Sequence, residues 1–148
     1  MAGHLSLGID IGTTNVKASI LDTDKGVIVA HGSQEHPLFH PKPGYAEQEA
    51  DNYWKAVVSA IQQCLSQGEF TDAIAGVALS GLVGVMLPVS KSGKPVRPAM
   101  IWMDARSEAQ CQEIRERVGE DRINENNENR VSPGVIDPKA LWMKQSPY

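Results

Sequence analysis

The chain has 148 residues, 41% of them hydrophobic, and a formal net charge of −4; this is enough for one domain with a real core and too little for two large ones. Its basic residues are scattered rather than interleaved with aromatics, which excludes nucleic acid as the expected partner and favours a small polar ligand. No stretch reaches the roughly eighteen uninterrupted apolar residues of a membrane span, and "MAGHLSLGID" has neither a basic n-region nor a cleavage site, so the expectation is no membrane partner and a cytoplasmic location.

Residues 5–11 are apolar almost without a break, and residues 16–21 and 27–30 follow after turn signals such as "DTDKG". Three strands in an antiparallel meander are predicted. The prolines of "HPLFHPKPGYAEQ", residues 36–48, interrupt hydrogen-bonded ladders and predict an irregular connection. A helix is predicted between residues 49 and 67, with Trp54, Val57, Val58, Ile61 and Leu65 as its apolar stripe, acids around its start and Gly68 as its stop.

"AIAGVALSG", residues 73–81, reads as a buried strand, and "VGVMLPVSKSGKPVRPAMIW" as a hairpin around Ser92 and Gly93 followed by another strand. A helix over 107–118 closed by Gly119 comes next. The polar, Asn-rich "EDRINENNENRVSPG" predicts a loop, and "DPKALWMK" a last helix with Asp137 as N-cap and Pro138 at its first position. No repeat and no Gly/Ser/Pro-rich linker is evident, so the chain reads as one α/β unit or part of one. Cys64 and Cys111 lack metal-ligand spacing and read as reduced, packed thiols. His4, His31, His36 and His40 form no zinc pattern and read as surface or loop histidines.

Within "GIDIGTTNVKASILD", residues 8–22, Asp10 stands among apolar neighbours and Gly12, Thr13 and Thr14 follow it. A phosphate-binding turn needs close backbone N–H donors, small residues that let the anion approach, and hydroxyls. "GTT" supplies all three. The P-loop and the dinucleotide-binding glycine motif do not fit, because this turn joins two strands. Asp10 would project beside the tip and could hold Mg²⁺ through water; the alternative is that Asp10 caps a turn and Gly12 merely completes a hairpin.

The same stretch resembles the first phosphate motif of the superfamily that includes sugar kinases, actin and heat-shock chaperone ATPases. "PGYAEQEADNYWKAV", "GVALSGLVGVMLPVSKSGKPVRPAMIWMDARSEAQ" and "SPGVIDPKALWMK" are similar to the N-terminal portion of FGGY-family carbohydrate kinases, closest to the xylulokinase and gluconokinase branches. The resemblance covers essentially the whole chain. It implies an incomplete ribonuclease-H-like (actin-like ATPase) lobe over residues 1–148, starting with the three-stranded meander. The cofactors it implies are ATP and Mg²⁺, the partner a small carbohydrate, and the reaction transfer of the γ-phosphate to a sugar or polyol hydroxyl; the full-length protein could form a homodimer.

Carried onto this chain, the resemblance assigns Asp10 to Mg²⁺ and phosphate electrostatics and Gly12, Thr13, Thr14 and Asn15 to the phosphate turn. Lys17 could reach a phosphate as a point charge or be a solvated edge-strand lysine. In "IWMDAR", Trp102 would face the sugar carbons, with Asp104 and Arg106 as polar contacts or loop scaffold; alternatively Trp102 is core and Asp104 caps the next helix. Glu47 and Gln48 would order the preceding loop. Leu82, Val83 and Gly84 stand where xylulokinases commonly carry Gln-Met-His, which removes polar donors from the expected pocket and makes D-xylulose doubtful.

The family's general base, an aspartate in a downstream Gly-rich segment, and its adenosine-binding segment are not among these residues. The resemblance therefore implies a fragment of a longer kinase, inactive alone. The competing expectation is a catalytically dead nucleotide- or sugar-binding module that keeps the phosphate hairpin.

Overall fold

In the computed structural model, which describes residues 4–126 and 130–146, period-two alternation sets the first strands. β1 (Leu5–Ile11) buries Leu5, Leu7 and Ile9, and β2 (Asn15–Asp22) buries Val16, Ala18 and Ile20. β3 (Val27–Glu35) completes the predicted meander, both pairings being antiparallel. α1 (Ala50–Leu65) then carries the chain to β5 (Ile74–Gly81), which pairs with β1 in parallel, giving the order β3-β2-β1-β5.

The small side chains Ala56, Ala60 and Cys64, with Val57, form the buried face of α1 against Leu5, Leu7, Ile9, Val16, Ala18 and Ile20. Both cysteines are free and buried, as expected, and burial raises the thiol pKa of each. Trp54 does not belong to that stripe: it is 68% exposed. One residue is about 100° of helix, so the step from position 53 to 54 moves the side chain off the buried face.

β3 runs five residues further than the apolar run 27–30 suggested, because its polar second half is held by α1 and by Gln67 just beyond it. The Ser33 N–H donates to Gln63 Oε1 (3.2 Å), Gln67 Nε2 donates to the His31 carbonyl (2.6 Å) and the Ser59 hydroxyl to Gln34 Oε1 (2.9 Å). Gly32 makes that approach possible. A Cβ there would lie 2.3 Å from the Ala60 carbonyl oxygen. Gly32→Ala is therefore expected to cost roughly 3 kcal/mol, the upper end of ordinary overpacking because the obstacle is backbone; urea unfolding checks this.

β5 departs from its expected burial. Val77 and Leu79 are 62% and 72% exposed, since β5 is an edge strand paired only with β1 while α1 packs on the other three strands. An apolar run alone does not reveal what covers it.

The chain divides into two compact units. The first comprises the residues through Pro37 with Ala50–Leu82, and the second Leu38–Glu49 with the described residues from Val83 onward. Composition does not show this, because no linker marks the crossings. In the second unit β4 (Glu47–Gln48), inside the stretch expected to be irregular, pairs antiparallel with β6 (Ala99–Met100). The predicted hairpin is a turn closed by the Val89–Pro95 bridge, with Gly93 at φ +78°.

α2 (Glu108–Val118) starts after Ser107 and stops at Gly119, φ +84°, whose N–H donates to the Arg115 carbonyl. The polar stretch after it, expected as a loop, begins with α3 (Glu120–Asn126), whose first turn places Glu120 and Asp121 at the favourable end of the helix dipole; residues 127–129 lie outside the described residues. In α4 (Ile136–Gln145) the N-cap is Val135, without a side-chain cap bond. Asp137 sits inside the first turn, not at the cap. No helix among the described residues is long and apolar enough to cross a membrane.

Candidate active site

The carboxylate in β1 is explained by alternation. Asp10 falls between buried Ile9 and half-buried Ile11, so it points to the face of the sheet that α1 does not cover. There it is in register with Lys17 on β2 and Ser80 on β5. The three line an open cavity of about 360 Å³ with Gly8, Ser19 and Ala78. Lys17 is on an interior strand rather than an edge, but its side chain is exposed, as the solvated reading of this lysine had it.

The tip of the β1–β2 hairpin adjoins that cavity in sequence. The Gly12 N–H donates to the Asn15 carbonyl at 3.0 Å, and a Cβ at position 12 would come within 2.9 Å of that oxygen. Asn15 Nδ2 donates to the Ser33 hydroxyl at 3.3 Å. Thr13 and Thr14 form the apex. Its carbonyls are engaged from behind: the His36 backbone N–H donates to Thr14 O (3.1 Å) and His36 Nε2 donates to Gly12 O (3.0 Å).

His36, expected as a surface or loop residue, is only 6% exposed and packs on Tyr53 with ring centroids 4.7 Å apart. Burial pushes the Tyr53 phenol up to about 12. The sequence hid this residue because β3 was read too short. With β3 extended to Glu35, opposite Asn15, the next residue necessarily lies beside the hairpin tip.

In the second unit, the Trp-x-Asp-x-Arg segment separates into two roles. Trp102 is 50% exposed and so is not core. Asp104 is fully buried: its Oδ2 accepts from the Ala46 N–H (2.7 Å) and Arg106 Nη2 (2.6 Å), and its Oδ1 from the Arg106 N–H (3.1 Å) and Nε (2.8 Å). These are scaffold bonds. Asp104 does not cap α2, whose N-cap is Ser107.

Arg106 also donates to Glu47 Oε1 at 2.6 Å, and its guanidinium lies 3.6 Å from the Tyr45 ring centroid. Its side chain is 1% exposed. Burial alone would lower its pKa, but hydrogen bonds to and charges on Asp104 and Glu47 outweigh this and hold it above its usual value. Glu47 thus orders its loop, as expected, by anchoring this arginine.

Position 84 admits no side chain. Gly84 has φ +72°, and a Cβ would lie 2.1 Å from the Gly134 carbonyl oxygen and 3.4 Å from Trp102 Cβ. Its own carbonyl accepts from the buried Lys139 ammonium at 2.9 Å. Burial lowers the Lys139 pKa, an effect that the Asp104 charge opposes. Val83 beside it is 87% exposed, whereas Leu82 belongs to the first unit, where its N–H donates to the Ile11 carbonyl. The structure therefore brings Gly84 and Trp102 together, locks Asp104 to Arg106, and groups Asp10 with Lys17 and the hairpin tip.

Among the described residues no group of three or more His, Cys, Asp or Glu side chains could hold a metal ion. A single exposed carboxylate such as Asp10 suits Mg²⁺, which is commonly bound by one or two carboxylates together with substrate phosphates.

Residues 5–147 match the model of the FGGY family of carbohydrate kinases, N-terminal domain. The chain is 34% identical over 142 residues to a xylulose kinase of Lactococcus lactis, covering 95% of this chain and 28% of that protein. It is 31% identical over 144 residues to glycerol kinase 2 of Streptomyces coelicolor, covering 96% and 28%. The crystal structure of a xyloylose kinase from Brucella ovis superposes with a TM-score of 0.89 at 28% identity, covering 97% of this chain and 30% of the other. A xylulose kinase from Rhodospirillum rubrum, at 23% identity, shares the fold with a TM-score of 0.90 over 95% and 29%.

The chain thus spans a little over a quarter of the length of the curated relatives it matches. Its mixed β3-β2-β1-β5 sheet agrees with the α/β, actin-like ATPase lobe expected from sequence. Taken with the match over residues 5–147, this shows that the chain belongs to the FGGY family of carbohydrate kinases and represents its N-terminal domain.

Proposed function

We propose that these residues form the phosphate-binding and sugar-contacting start of an ATP-dependent kinase that phosphorylates a hydroxyl of a sugar or polyol. The observation that carries this reading is the grouping of Asp10, Lys17 and Ser80 on one uncovered sheet face next to a Gly-Thr-Thr hairpin tip. Bound MgATP would supply the transferable phosphoryl group and the divalent charge that stabilises its oxygens.

Asp10 would hold Mg²⁺ through water, and Lys17 would offer a point charge to phosphate. Gly12 keeps the tip slim, and Thr13 and Thr14 contribute donors. Trp102 would face the sugar carbons, while Asp104 and Arg106 fix the loop on which Trp102 stands rather than touching the sugar. Relatives are named as xylulose, glycerol and gluconate kinases, so the family spans ketose, polyol and sugar-acid acceptors. The polar donors missing at Leu82, Val83 and Gly84 count against D-xylulose as the acceptor, because pockets built on polar pairing discriminate by orders of magnitude.

The group that accepts the proton of the attacking hydroxyl is assigned to the longer protein, beyond these residues, so the chain alone is expected to turn over no sugar. A panel of pentuloses, gluconate and polyols offered with MgATP to the full-length protein tests the reading. Phosphorylation of one acceptor class, with D-xylulose poor, supports it; D-xylulose as the best acceptor would refute the selectivity argument.

A further inference from the structure

We infer that His36 is a positioning residue for the phosphate turn: its imidazole N–H, held on the Gly12 carbonyl, fixes the direction of the peptide that presents the Thr13 N–H. The inference rests on the phosphate-binding reading of that turn and assigns it a part that the sequence motif does not contain.

Three observations converge on His36. Nε2 lies 3.0 Å from the Gly12 carbonyl oxygen. A carbonyl only accepts, so Nε2 carries the proton. The His36 backbone N–H takes the Thr14 carbonyl at 3.1 Å, so one residue grips the turn at two of its carbonyls. Finally, the ring is buried and braced by Tyr53 at 4.7 Å. A donor in that setting has little freedom to turn away.

The consequence follows from peptide geometry. The chain has no cis peptide bond among the described residues, and in a planar trans peptide the C=O and the next N–H point in opposite directions. Drawing the Gly12 carbonyl toward the buried His36 ring therefore aims the Thr13 N–H the other way, toward the outer side of the tip. No φ in the turn is positive, so the direction is not set by a left-handed residue at the apex. Donors fixed before the anion arrives stabilise it without reorganisation. Without the imidazole donor, the Gly12 carbonyl would lose a buried partner and the peptide could rotate to seek another, leaving the Thr13 N–H misdirected.

The test compares His36→Phe, which keeps a buried ring but no donor, with His36→Gln, whose side-chain amide N–H can reach the same carbonyl. Both are made in the full-length protein and measured by calorimetric titration with MgATP and by steady-state kinetics. His36→Phe should weaken MgATP binding about tenfold, as expected for one lost hydrogen bond to a part-buried acceptor. The KM for the carbohydrate should stay within twofold, and His36→Gln should restore most of the MgATP affinity. Unchanged MgATP affinity in His36→Phe, or equal weakening in both variants, overturns the inference.

Imidazole ¹⁵N spectra of the wild-type protein give a reading that no folding defect can obscure: Nε2 should carry hydrogen, and a tautomer protonated at Nδ1 alone contradicts the inference. Wild-type protein that binds MgATP but phosphorylates no carbohydrate defeats the kinase proposal and leaves His36 to be judged on affinity. Wild-type protein that does not bind MgATP defeats both.

Discussion

Arg106→Met is expected to destabilise the protein by about 3–5 kcal/mol, the range seen when one partner of a buried ion pair is removed. Arg106 is the common partner of two carboxylates: it lies 2.6 Å from both Asp104 and Glu47, with Asp104 fully buried and the Glu47 side chain 12% exposed. Methionine fills similar volume but leaves Asp104 with only the Ala46 and residue-106 N–H groups as donors. The cost therefore comes from the stranded charge, not from the lost packing.

Arg97 provides the contrast. It approaches Glu47 only to 3.4 Å, and Glu47 keeps its 2.6 Å partner Arg106 when Arg97 is replaced, so Arg97→Met strands no buried carboxylate and should cost clearly less than Arg106→Met. Thermal unfolding separates the two: a fall of roughly 10–20 °C for Arg106→Met against a few degrees for Arg97→Met. Similar small shifts for both would contradict the view that Asp104 and Arg106 are scaffold.

Asp10→Asn is expected to do the reverse, removing activity while sparing stability. Asp10 is exposed and, among the described residues, no hydrogen bond depends on its carboxylate, so the substitution should change stability by no more than about 0.5 kcal/mol. In the full-length protein, its charge would stabilise the metal-bound phosphates during transfer, an electrostatic contribution of the kind worth about 10²–10³ in kcat. Steady-state phosphorylation kinetics, run beside a urea-unfolding curve, reads both quantities. Activity within threefold of wild type would remove Asp10 from the mechanism.

The parts legible in the sequence are those where a local pattern decides the structure. Leu5, Leu7 and Ile9 alternate with Ser6, Gly8 and Asp10, which sets both the strand and the face on which the carboxylate stands. Ser107 and Gly119 bracket α2 because start and stop signals are local. Tertiary partners decided the rest. β3 extends through a polar stretch because Gln63 of α1 and Gln67 just beyond it satisfy its backbone, and Gly32 lets the helix come close.

The site shows the same division. "GTT" and "WMDAR" identify the segments, but not how their side chains are used. That Asp104 is consumed by Arg106 and the Ala46 N–H, a partner 58 positions away, depends on pairing across the second unit. His36 likewise becomes functional only once β3 delivers it behind the hairpin tip. Trp54 errs in the opposite sense: an aromatic at plausible helical spacing sits in solvent because the buried stripe, Ala56, Val57, Ala60 and Cys64, is centred one residue earlier.

Phosphoryl transfer from ATP to a carbohydrate hydroxyl can be followed with γ-labelled ATP. With Mg²⁺ and an accepted carbohydrate, the full-length protein should place the label in a sugar or polyol phosphate ester, and Asp10→Asn should lower that rate by two to three orders of magnitude. Label found only in inorganic phosphate or retained in ATP across the whole acceptor panel would contradict the account.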